Sequence, residues 1–97
     1  MLFEWDETKR QANLAKHLID FADAVKVFEV PLFEKVQRRH GEIRALAVGL
    51  LDDVEIVVVY TMRGKDRRII SARRANRNER QDYANQLKAA DEGRNRP

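Results

Sequence analysis

The chain has 97 residues, 43% hydrophobic and 36% charged, with 19 Lys and Arg against 16 Asp and Glu, and it contains no cysteine. That length supports one hydrophobic core, and the composition is too apolar for a disordered chain and too polar for a membrane protein. Lack of cysteine excludes disulfides, thiolate metal ligands and a cysteine nucleophile, and fits a reducing cytoplasm.

The opening MLFEWDETKR reads as neither a signal peptide nor a membrane span. Its alternation over residues 2–5 suits a short strand, and Asp6 is placed to cap a helix with Glu7 in the first turn. That helix runs to about Leu18 and is polar for most of its girth, because Leu14 and Leu18, helped by Ala15, are its few apolar positions. Phe21, Ala24, Val25 and Phe28 recur at helical spacing and predict a second, core-facing helix over 20–28 that stops before Pro31.

From there the period becomes that of a sheet. Strands are expected over 33–38, 43–50, 54–62 and 67–73, separated by turns at HGE (40–42), Asp52–Asp53 and RGKD (63–66), with VEIVVVYTM as a buried central strand. Asn76 with Glu79 three residues on reads as a capping box for a last helix carrying Tyr83, Leu87 and Ala90 on one face. The expected fold is α+β, in the order β-α-α-β-β-β-β-α. It is a small twisted, mainly antiparallel sheet with helices packed on one face and the other partly open. One domain over 1–90 and a fraying tail over 91–97 are expected.

Charge is distributed unevenly. Residues 63–80 hold eight Arg or Lys against Asp66 and Glu79, a local +6 in a chain whose total is +3. A single-sign band repels itself unless an anion or nearby carboxylates compensate it, and guanidinium groups suit phosphate. In a regular strand Arg67, Ile69, Ser71 and Arg73 would face one way and Arg68, Ile70, Ala72 and Arg74 the other. The competing reading is that the arginines solubilise the chain or pair with Glu42, Glu55 and Glu79. His17 and His40 lack the neighbours of a metal site, so no metal or other cofactor is expected. Trp5 and Tyr60 could stack on bases but read better as core or rim residues. Metal-independent RNA cleavage needs only proton-transfer groups and cations around a phosphate, which Arg, Lys, His and Tyr supply.

The residues FEWD (3–6), Lys9, Asn13, KH (16–17), Phe21, VF (27–28), GE (41–42), Arg44, Gly49, VVYT (58–61), Arg63, RIISARRA (68–75), ER (79–80) and Tyr83 resemble, in order and spacing, the BrnT family of toxins. The resemblance implies a RelE-like fold and an RNA-cleaving activity that inhibits translation. It also implies a cognate BrnA-like antitoxin with a ribbon-helix-helix domain, whose complex with the toxin binds operator DNA. No membrane partner is implied. Leu18 stands where the family commonly has glycine, so the chain is expected to leave the first helix by a different route. Ile43 and Ala45 depart from the family's usual EER and aromatic, and Met62 stands in place of a frequent tryptophan.

The expected functional surface joins Lys9 and His17 with Arg44, Arg63 and Arg73 as the catalytic set. Asn13, Lys16, Arg68, Arg74, Arg77 and Arg80 are the expected RNA contacts. The alternative is a non-catalytic basic module that binds an acidic protein or nucleic acid.

Overall fold

The computed structural model describes residues 2–94. Its elements follow the expected order: β1 (Phe3–Trp5), α1 (Glu7–His17), α2 (Phe21–Ala24) running into a 3-10 turn (Val25–Glu29), β2 (Phe33–Arg39), β3 (Glu42–Leu51), β4 (Val54–Arg63), β5 (Asp66–Arg74) and α3 (Arg77–Arg94). α3 continues past residue 90, and residues 95–97 of the expected tail lie outside the described residues.

The ends of these elements are written in local side chains. Asp6 accepts a hydrogen bond from the Lys9 amide and caps α1, and Asp20 accepts one from the Ala22 amide and caps α2. At α3, Asn76 accepts from the Glu79 amide while Glu79 accepts from the Asn76 amide, which closes the capping box. Two hairpin loops, His40–Gly41 and Asp52–Asp53, hold both residues at positive φ, the geometry whose twist matches that of the strands they join. The expectation for Leu18 is overturned. It caps α1 at φ 61°, in the left-handed conformation that glycine favours, with its amide donating to Leu14.

The sheet order is β1-β5-β4-β3-β2, with β1 parallel to β5 and every other pairing antiparallel. β4 is central and buried on both sides, which is why its sequence reads as an unbroken apolar run. Ile56, Val58 and Tyr60 of β4 pack with Phe21, Ala24 and Val27 on one face, while Val57 packs with Val48, Ala75 and Tyr83 on the other. Helices therefore cover both faces. α1, α2 and the 3-10 turn take one, as expected, and α3 lies across part of the other, anchored by the Tyr83 hydroxyl donating to the Pro31 carbonyl at 2.9 Å. The reason is that Tyr83 and Leu87 find apolar partners only where odd-numbered β4 residues emerge.

Strict alternation fails in β5. Val59 pairs with Ser71 but Tyr60 pairs with Ile69, so Ile70 is an extra residue in a bulge. The bulge puts Ile69 and Ala72 in the same core cluster. Arg68, Ser71 and Arg73 consequently share the α3 face, in place of the expected grouping of Ser71 and Arg73 with Arg67 and Ile69.

Candidate nucleic-acid interface

Cross-strand register assigns the sheet arginines to faces. Arg73 lies opposite Val57, and Arg68 opposite Thr61, all on the α3 face. Arg63 follows Val57, Val59 and Thr61 on the same side of β4, and Arg44 follows Leu46 and Val48 on the same side of β3. Arg44, Arg63, Arg68 and Arg73 thus emerge from three strands onto one face. Arg74 does not; it lies opposite Ile56 and lines a cleft on the α1 side with His17 and Asp52.

α1 borders this face along the outer edge of β5. Lys9, Lys16 and His17 line a groove of about 280 Å³ whose other wall is Ile70 and Ser71. Ser71 is the junction, since it lines the groove and belongs to the strand face carrying Arg68 and Arg73. The groove does not contain Arg44, Arg63 or Arg73, so the expected catalytic set lies in two adjoining places and not in one pocket. Asn13, expected between Lys9 and His17 as an RNA contact, points inward and is 7% exposed. Its amide donates to the Ile19 and Ala72 carbonyls and accepts from the Ala72 amide, which commits every donor it has.

Most of the arginines on this face have a carboxylate. Arg73 grips Glu79 with both terminal nitrogens, at 2.7 and 2.8 Å. Arg44 meets Glu42 at 3.2 Å and Arg68 meets Glu4 at 3.6 Å. Arg80 donates to the Ala75 carbonyl and approaches Glu55 at 3.8 Å. The competing reading of the band is therefore realised at Glu55 and Glu79, whereas Glu42 pairs with Arg44, outside the band. Hydrogen bonding from Arg73 holds the Glu79 carboxyl below the usual carboxylate range against an opposing effect of burial, and the same bond raises Arg73. Among the described residues, no ion pair forms to Lys9, Lys16 or Arg63, and Arg77 stands exposed at the start of α3.

A second polar cluster escaped sequence reasoning. On the opposite face, the Tyr60 hydroxyl donates to Glu34, and the Arg67 guanidinium lies 4.3 Å from the Phe28 ring centre and 5.4 Å from that of Tyr60. Burial first, and then Glu34, push the Tyr60 hydroxyl up, so it stays a donor. Glu34, Tyr60 and Arg67 come from three strands, and only their register could have revealed the cluster. Tyr60 and Trp5 are packing residues, with Trp5 edge-on to Phe21 at 6.0 Å. Among the described residues, no three His, Asp or Glu side chains gather as metal ligands. No helix among them is long and apolar enough to cross a membrane.

The chain matches no curated protein. A family model described as the ribonuclease toxin BrnT of type II toxin-antitoxin systems matches residues 5–79, from the end of β1 through the capping residue of α3. That span covers more than three quarters of the chain and every strand of the arginine-bearing face, and the chain belongs to the BrnT family of ribonuclease toxins.

Proposed function

We propose that this toxin is a metal-independent endoribonuclease that inhibits translation by cutting RNA in the cytoplasm. It is silenced by a BrnA-like ribbon-helix-helix antitoxin and meets operator DNA only through that complex. One observation carries the reading: four arginines from three strands share one face, and that face runs at Ser71 into a groove walled by Lys9, Lys16 and His17.

Such a surface suits a ribose-phosphate chain. Arg44, Arg63 and Arg68 lie at the end of the face away from α3 and neutralise backbone phosphates, with Arg63 available without breaking an ion pair to any of the described residues. Lys9 and Lys16 hold the chain along the β5 edge. In the cleavage step the ribose 2′-hydroxyl loses its proton to His17 or Lys9, its oxygen bonds to phosphorus, and the bond from phosphorus to the 5′ oxygen breaks as that oxygen takes up a proton. The products are a 2′,3′-cyclic phosphate and a 5′-hydroxyl. The cations nearest the groove, Lys16 and Arg73, stabilise the charge that builds on phosphorus-bound oxygens. Arg73, held by Glu79, acts as a fixed positive wall.

The test uses purified chain with single-stranded RNA and with ribosome-bound message, in excess chelator. Cleavage that persists with chelator, and drops at least tenfold in Arg63→Ala and in His17→Ala, supports the reading. RNA left intact at high protein concentration while the chain still arrests growth sinks it, and leaves the basic binding module.

A further inference from the structure

The sheet order leaves β2 as an edge strand, and residues 34–39 along it are exposed. On the side away from the arginine face, β2 borders a cleft of about 620 Å³ lined by Glu34, Val36, Ile43, Ala45, Tyr60 and Met62, among others. Val36, Ile43 and Met62 come from three adjacent strands and are 76%, 54% and 49% exposed. An apolar patch of this kind beside unpaired strand edge is the arrangement used to capture an extended segment, with main-chain hydrogen bonds giving affinity and alternate side chains giving specificity.

We infer that the β2 edge and this cleft form the docking surface for an extended acidic segment of the antitoxin, which adds as a sixth strand and seats an apolar side chain among Val36, Ile43 and Met62. This rests on the reading of the chain as an antitoxin-silenced toxin and names where the partner binds. Charge selects the occupant. Residues 34–39 carry Lys35, Arg38 and Arg39 against Glu34, and the Glu34 carboxylate is engaged by Tyr60. Lys35 is held by Asp82 of α3 at 2.8 Å, while no ion pair forms to Arg38 or Arg39 among the described residues. A second copy of the chain pairing through β2 would bring these cations together along one seam, which is unfavourable for strand addition. RNA is a poor fit because the cleft offers no exposed ring for a base; Tyr60 is 6% exposed.

The experiment combines the chain with the antitoxin encoded beside it and compares wild type with Val36→Lys and Ile43→Lys. Expected are a loss of at least tenfold in antitoxin affinity for each variant and slowed amide exchange across residues 34–39 in the wild-type complex. RNA cleavage by each free variant should stay within twofold of wild type. Affinities within twofold of wild type together with unchanged exchange at 34–39 overturn the proposal. So does slowed exchange there caused by concentration-dependent dimerisation of the free chain, which would make a second copy the occupant. Affinity and exchange are read without RNA, so a chain that fails to cleave RNA defeats the functional reading and leaves this test intact.

Discussion

Asn13 treats Ala72 as a neighbouring strand would. Its side-chain amide donates to the Ala72 carbonyl at 2.9 Å and accepts from the Ala72 amide at 3.1 Å. β1 pairs with β5 only as far as Ile69, so the β5 edge beyond the bulge would otherwise bury unpaired backbone groups. Asn13→Ala leaves both of them, and the Ile19 carbonyl, without partners in a water-poor site. The expected loss is about 2–4 kcal/mol of stability, measured by urea unfolding. Loss of RNA cleavage with stability unchanged would return Asn13 to the RNA-contacting surface.

Leu18 carries strain that glycine would relieve. It sits at φ 61° and is 83% exposed, so its side chain contributes little packing to offset the left-handed backbone. Leu18→Gly is expected to stabilise the fold by about 1 kcal/mol, raising Tm by about 4–8 °C for a domain of this size. An unchanged or lowered Tm would show that the exposed leucine makes up for its backbone.

Gly49 is required for a different reason. A Cβ there would stand 3.0 Å from the Val27 Cβ, where the 3-10 turn presses on β3. Because the Val27 Cβ is fixed to the backbone, relief needs the turn to lift off the sheet. Gly49→Ala should cost about 1–3 kcal/mol, and pairing it with Val27→Gly, which removes the opposing Cβ, should recover part of that cost. Additive effects in the double mutant would count against the contact.

The Arg73–Glu79 pair predicts an acid-sensitive stability. Glu79 is depressed in the folded state from a reference of 4.5, so its contribution is complete above that reference and is lost as pH falls through the folded value. Glu79→Gln should therefore lower stability at pH 7 by about 1–2 kcal/mol, partly through the weakened capping box. The difference from wild type should shrink as pH drops below about 4.5. Glu7 and Asp20 are depressed as well, by Arg10 and by the Ala22 amide respectively, so the difference between the two proteins is the informative quantity. A gap that stays constant from pH 7 to pH 3 would contradict the pairing.

What the sequence disclosed follows the range of the interactions. Asp6 and the Asn76–Glu79 box act within three residues, and the central strand declares itself by an apolar run. The bulge at Ile70 has no comparable mark, since it is decided by which β4 residue each β5 residue meets, and one extra residue moved Ser71 onto the other face. Asn13 spoke for helical periodicity and for an exposed polar residue equally well, because its partner Ala72 is 59 residues away. The site was legible as a set of residue types and a resemblance. Its division into an arginine face and an α1 groove depended on the sheet register.

Glu42 offers a way to measure how far the ion pairs on the arginine face restrain RNA. It holds Arg44 at 3.2 Å, and the side chains of Arg44 and Glu42 are 25% and 43% exposed, so the pair is a weak one in which solvent competes. If Arg44 must leave Glu42 to meet a phosphate, Glu42→Gln removes that competition and a negative charge facing the RNA. RNA affinity should then rise about two- to fivefold at low salt, and the gain should fade as salt increases. Among the described residues no carboxylate pairs with Arg63, so none of them is given up on binding. Arg63→Ala should weaken RNA binding and lower the slope of log affinity against log salt by about 0.7, the amount for one phosphate contact on a single strand. Filter binding across a salt series measures both. Unchanged affinity in Glu42→Gln and an unchanged slope in Arg63→Ala would together mean that RNA does not lie on this face.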